Sequence, residues 1–111
     1  PAMPPNESSA AFIKFSEDGS INIVVSGMEL GQGFMTAMAK IAAEELSLPL
    51  EKIRVELPDT DKSPYEWQTV ASHVTWGCGN AVRRAAIDAR NQILETVSRA
   101  YHMDKSNLHL E

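Results

Sequence analysis

Residues 21–36, INIVVSGMELGQGFMT, change their period halfway through, and that change decides the fold. Ile21, Ile23 and Val25 recur every second residue, the spacing of a strand with one buried face. Beyond Gly27, Met35, Met38, Ile41, Ala42 and Leu46 recur every third and fourth residue. This predicts an amphipathic helix from about Phe34 to Leu46, stopped by Ser47-Leu48-Pro49. A strand therefore runs through a glycine-bearing loop into a helix. Upstream, Phe12, Ile13 and Phe15 form another β-rich run, separated from the first by Ser16-Glu17-Asp18-Gly19-Ser20, so the two read as a hairpin around an Asp-Gly turn. Downstream, Ile53, Val55 and Leu57 alternate with Arg54 and Glu56 as a short half-buried strand closed by Pro58. Asp59 to Thr75 has no period and reads as a long loop, a class that is more often functional or disordered than a neutral connector. Val82, Ala86, Ala89, Ile93, Val97 and Ala100 stripe a second helix that starts between Thr75 and Asn80 and fades around His102-Met103. An apolar alternation from Leu108 predicts the start of one more strand. The order β-β-α-β-α, with that last strand, predicts an α+β fold: a small sheet with two helices packed on one face.

Composition narrows the function. Hydrophobic residues make up 43% of the 111 and charged residues 23%, ordinary values for one globular domain. Ten Lys and Arg against fifteen Asp and Glu leave a net charge of −5, which excludes the basic footprint of a nucleic-acid binder. No apolar stretch is long enough to span a membrane, and the start lacks the charged and apolar regions of a secretory signal. The single Cys78 has no internal disulfide partner, which points to a reducing, cytoplasmic setting. Residues 1–9 (PAMPPNESS) read as a polar, proline-rich linker or disordered lead-in, and residues 10–111 as the domain. Both ends look cut, so the chain reads as a fragment of a longer polypeptide.

The chemistry sits in Ser26 to Thr36, at a strand end and a helix mouth. Helix N-termini present unpaired N–H groups and partial positive charge, suited to an anionic or strongly accepting ligand. Gly31 and Gly33 flank Gln32 without side chains, so a ligand could approach the backbone, and the Gln32 amide offers one acceptor and two donors. Equally, the glycines could serve only to turn a strand into a helix. A P-loop does not fit, because Phe34 stands where its lysine belongs. A dinucleotide fingerprint fits badly: Thr36 replaces the third glycine and the preceding hairpin is no βαβ entry, although Glu56 could play the ribose acid. Ser72 and His73 are neighbours in a loop and make poor triad partners. Asp59 and Asp61 lack the regular oxygen ligands of a calcium loop. Cys78 has no base near it in sequence and reads as a partly buried thiol. Trp67 and Trp76 either stack on a ligand or anchor the loop, Met35 and Met38 fill the core, and His102 and His109 lie at the surface.

Gly27-Met28-Glu29-Leu30-Gly31-Gln32-Gly33, followed by Thr36, resembles the G-x-E-[ML]-G-Q-G-x-x-T motif of the molybdenum hydroxylases, the family of xanthine dehydrogenases and aldehyde oxidases. The resemblance continues through Ile41 to Leu46, Pro49, Ile53-Arg54-Val55, Asp59-Thr60, Pro64, Thr69-Val70-Ala71-Ser72 and Gly79-Asn80-Ala81-Val82, from about Phe12 to Leu94. It implies a partial molybdopterin-binding domain in which Gly31, Gln32, Gly33, Thr36, Ala71 and Ser72 contact the cofactor. Gln32 would hydrogen-bond it, and the small Ala71 would also lie next to a flat substrate. The cofactor implied for the parent enzyme is a molybdenum-pterin, as molybdopterin or its cytosine dinucleotide. Its metal is held by the pterin dithiolene and by oxygen and sulfur ligands, so no protein side chain need bind it. The implied reaction is hydroxylation of a heterocycle or aldehyde with water as the oxygen source. The family's catalytic glutamate, its F-G-G segment and its substrate-clamping arginine have no counterpart here, so no catalytic residue is expected and the fragment should be inactive and free of cofactor. Implied partners are the remainder of the molybdenum subunit and iron-sulfur and flavin domains or subunits. Nucleic acid and membrane are not among them, and exposed apolar surface would let isolated copies associate. The chain departs from many relatives at His73 and Trp76-Gly77-Cys78, which bears on substrate choice. The competing reading is a non-enzymatic α+β interaction module whose G-Q-G turn is structural.

Overall fold

Strands β1 (Phe12–Phe15) and β2 (Ile21–Val24) pair antiparallel, Phe12 opposite Val24 and Phe15 opposite Ile21, in a computed structural model that describes residues 8–66 and 73–110. The hairpin turns at Gly19, whose φ of +82° is open to glycine at no steric cost. Asp18 accepts hydrogen bonds from the Ser20 hydroxyl at 2.6 Å and the Ser20 N–H at 2.9 Å, and these hold its carboxyl below the usual range.

From β2 the chain passes through residues 25–33 into α1 (Phe34–Leu46), then a 3₁₀ turn (Leu50–Lys52), then β3 (Ile53–Glu56), which pairs parallel to β2. Sheet order is β1-β2-β3, so β2 is central and its Ile21, Ile23 and Val24 are buried. The unit β2–α1–β3 is a βαβ crossover, which corrects the expectation that no such entry exists here. The pattern of β3, half-buried rather than a continuous apolar run, concealed its parallel partner.

Helix α2 (His73–Tyr101) is 29 residues long and is already helical at His73, earlier than the Thr75–Asn80 start that its sequence suggests. Gly77 and Gly79 are poor helix formers, yet both stand where another part of the chain comes close. A Cβ at Gly77 would lie 2.6 Å from both His73 Nε2 and Ser9 Oγ, and one at Gly79 would lie 3.2 Å from Ile41 of α1. Tertiary packing overrides local propensity there. The core lies between the sheet and the two helices: Ile21, Ile23, Val25, Phe34, Met38, Ala42, Leu46, Val74, Cys78, Val82 and Ala86.

Only the first half of α2 is buried. Its far half, with Ala89, Ile93 and Val97 half-buried and Tyr101 72% exposed, runs past the sheet and lengthens the molecule to 51 Å. Between it and edge strand β1 lies an open groove of about 1070 Å³, lined by Phe12, Ile13, Phe15, Ala85, Ala89 and Ile93 among others. The strand expected from Leu108 does not form. A 3₁₀ turn (Lys105–Asn107), capped by Asp104, stands before it, and residues 108–110 have no strand partner among the described residues.

The segment after β3 is more ordered than its lack of period implied. Asp59 nucleates a turn: its carbonyl accepts from the N–H groups of Lys62 and Ser63, and its carboxylate accepts from Asp61 N at 2.9 Å. These two acidic residues are turn formers.

Candidate functional site

The loop that carries Gln32 is fixed at both ends. At its start Ser26 Oγ donates to the Pro64 carbonyl, and Gly27 is buried under the Phe34 ring, where a Cβ would lie 2.4 Å from Phe34 Cζ. At its end Gly33, with φ of +85°, leads into the first turn of α1, and Gly31 has φ of +96°. Nothing lies within 4 Å of a Cβ built at either glycine, so the space beside Gln32 is open.

Glu29 organises the interior of this loop. One carboxylate oxygen accepts from Gly31 N and Gly33 N, both at 3.0 Å, and the other from Met35 N at 2.9 Å. The Met35 amide, followed by those of Gly33, Gly31 and Phe34, holds the carboxyl below its ordinary value. Three of the amides at the helix mouth, those of Gly31, Gly33 and Met35, are thus already bonded within the chain, as an intramolecular cap. A pyrophosphate in the dinucleotide-binding manner would need the same amides.

Gln32 is exposed, and its amide orientation is dictated from both sides. Leu30 N donates to Gln32 Oε1 at 2.6 Å, and Gln32 Nε2 donates to the Met28 carbonyl at 2.9 Å. Reversing the amide would set donor against donor and acceptor against acceptor. A primary amide has two N–H donors, so one remains to be presented outward. Thr36 is exposed on the first turn of α1. Gly31, Gln32, Gly33 and Thr36 are therefore all exposed around the mouth of α1. Ala71 and Ser72, with Thr69, Val70 and Trp67, lie outside the described residues.

The residues on either side of that stretch are joined. The side chains of Glu66 and His73 are buried, and Glu66 Oε1 lies 3.2 Å from His73 Nε2. Ser9 Oγ donates to the same carboxylate at 3.0 Å, and the Cys78 thiol donates to Glu66 Oε2 at 2.7 Å. Burial, then the Glu66 hydrogen bond and charge, push the Cys78 thiol up to about 12. Cys78 is fully buried beside a carboxylate twelve residues upstream, a partner that proximity in sequence could not reveal. The isolated bridge between Ser9 and Glu66 is the backbone signature of the same closure. Among the described residues no group of three or more His, Cys, Asp or Glu is disposed to hold a metal ion. Trp76 does not anchor the loop to the core: it is 69% exposed, its ring centroid 6.0 Å from that of His73. Met38 is core, as expected, and Met35 is half-buried against it.

A βαβ unit that ends its first strand in a self-bonded loop with one exposed, oriented amide belongs to an α+β domain. Residues 2–111 match the sequence profile of the molybdopterin cofactor-binding domain, and the chain belongs to that family. It is 35% identical over 86 residues to a nicotinate dehydrogenase component of Pseudomonas putida, covering 78% of this chain and 7% of the relative. It is 30% identical over 105 residues to a putative xanthine dehydrogenase molybdenum-binding subunit of Escherichia coli K12, covering 94% of this chain and 14% of the relative. The fold superposes on the Cu,Mo-CO dehydrogenase with a TM-score of 0.86 and 27% identity, over 94% of this chain and 13% of that one. The chain thus spans a small part of the relatives it matches.

Proposed function

We propose that this chain is part of the molybdenum subunit of a hydroxylase that oxidises a nitrogen heterocycle, and that Gln32 hydrogen-bonds the molybdenum-pterin cofactor. The observation that carries this reading is the Gln32 amide: held by Met28 and Leu30, exposed, and left with one N–H for an outside acceptor. The residues fit such a group. Gly31 and Gly33 leave open space for a flat, bulky ligand, and the family to which the chain belongs supports the assignment. When bound, the cofactor supplies the redox chemistry of carbon hydroxylation with water as the oxygen source. The chain's own share is to bind and orient. Gln32 donates a fixed N–H, Thr36 offers a hydroxyl one helical turn away, and Ala71 and Ser72 are proposed to complete the contact, with Ala71 next to substrate. The Gly31, Gly33 and Met35 amides would not serve a cofactor phosphate, because Glu29 already bonds them.

A heterocyclic substrate is supported by the nicotinate and xanthine dehydrogenases among the relatives. The purine type is the particular reading, and a cytoplasmic enzyme with iron-sulfur and flavin partners follows from it. Among the described residues no helix is long and apolar enough to cross a membrane. The groove between β1 and α2 is the proposed seat of the remainder of the subunit. Family membership weighs against a free-standing module with a purely structural turn.

The test is a Gln32→Ala substitution in the parent enzyme, with molybdenum per subunit and turnover measured after gel filtration. Retention or turnover should fall while the fold persists, and unchanged values for both would overturn the assignment. For the isolated chain the expectation is no hydroxylase activity and no tightly held cofactor. Stoichiometric molybdenum on the purified domain would contradict it.

A further inference from the structure

We propose that Glu29 is a positioning residue for Gln32, its carboxylate setting the backbone path that aims the Gln32 amide out of the loop. The inference rests on the cofactor contact proposed for Gln32 and adds a residue that touches no ligand. Two nested sets of hydrogen bonds carry it. The outer set, Leu30 N to Oε1 and Nε2 to Met28 O, fixes the Gln32 side chain to its own loop. The inner set, from Gly31 N, Gly33 N and Met35 N to Glu29, fixes that loop to the first turn of α1. Gly31 and Gly33 lie on either side of Gln32, so the carboxylate grips the main chain immediately before and immediately after it. Two positive-φ glycines in three residues would otherwise leave Gln32 on a hinge, since glycine carries more backbone freedom than any other residue.

A carboxylate suits this task because it only accepts, at two oxygens, from several N–H groups at once. A glutamine at the same place keeps the shape but supplies one accepting oxygen, and its NH₂ group would face an amide donor. Glu29→Gln therefore breaks part of the inner set without changing side-chain volume.

The experiment is a double-mutant cycle in the assembled parent enzyme, with wild type, Gln32→Ala, Glu29→Gln and the double variant. Molybdenum per subunit after exhaustive dialysis is the first readout, and amide hydrogen exchange of the peptide spanning residues 28–36 is the second. Each single variant should lower retention on the order of tenfold, the usual size for loss of a group that orients a contact. The double variant should be no worse than the more impaired single. Additive losses would mean that Glu29 acts independently of Gln32, and full retention in Glu29→Gln would mean that it does not act at all. Either overturns the inference while leaving the Gln32 contact standing. Full retention in Gln32→Ala removes the contact and the inference together. Should Glu29→Gln fail to fold, exchange decides: the Gly31 and Gly33 amides are expected to stay protected in Gln32→Ala, and their loss of protection there would overturn the role given to Glu29.

Discussion

Gly27 and Cys78 are the residues whose behaviour the packing constrains most tightly. A Cβ at Gly27 would collide with a Phe34 ring that is itself only 4% exposed, so the ring has nowhere to go. Gly27→Ala should destabilise the fold by about 1–3 kcal/mol, the ordinary size of overpacking, read as a lower urea midpoint at unchanged slope. For Cys78 the thiol is raised from 9.0 to about 12, so at pH 8 the folded chain holds on the order of a thousandfold less thiolate than a free cysteine. Alkylation by iodoacetamide should accordingly track global unfolding, and rapid labelling of the folded domain would contradict the buried Cys78–Glu66 contact. The sign of the linkage follows: between those two values the unfolded chain binds fewer protons, so stability should fall as pH rises through that window. For Glu29 the shift is downward, so its bonds should persist as pH falls past the ordinary 4.5 and loosen only below it. The exposed placement of Gln32 was legible because glycines flank it. The bonding of Glu29 was not, since a carboxylate folding back on three amides of its own loop leaves no periodic trace in sequence.

The elements were legible wherever one face is buried. Strand β2 and helix α1 fall where their periods put them, because burial of alternate or every-third-and-fourth residues stabilises them, while β1 and β3, whose residues are exposed or half-buried, are held by pairing to β2. The start of α2 was missed for the opposite reason: residues 73–79 hold two glycines, a β-branched pair and Trp76, none of which favours a helix in isolation. The parallel pairing of β2 with β3 was missed because strand direction depends on the crossover and not on composition. The helices should respond unequally to substitution. Met38→Ala removes a fully buried side chain of α1 and should cost about 2–5 kcal/mol. Glu45→Gln loosens surface pairs from α1 to Arg83 and Arg90 of α2, which are partly exposed, and should change stability by no more than about 1 kcal/mol. Chemical denaturation of both variants checks the contrast, and equal effects would place the inter-helix adhesion in charge instead of packing.

At the scale of the whole molecule, sheet, α1 and the first half of α2 form one core, while the far half of α2 and the free edge of β1 face an unfilled groove. Phe12 and Phe15 are 51% and 44% exposed on that edge. The isolated chain should therefore self-associate through this face, and Phe12→Lys should weaken the association about tenfold or more in sedimentation velocity, as expected for losing one buried aromatic. A strictly monomeric wild-type chain would contradict the use of this groove as a packing face. The central claim concerns the loop before α1, where Gln32 is exposed and its amide keeps one N–H beyond the bond to Met28. A crystal structure of the cofactor-loaded parent subunit measures it most directly. The Gln32 Nε2 atom should lie about 2.7–3.2 Å from an accepting atom of the molybdenum-pterin. A Gln32 amide with no cofactor atom within hydrogen-bonding reach would contradict the account.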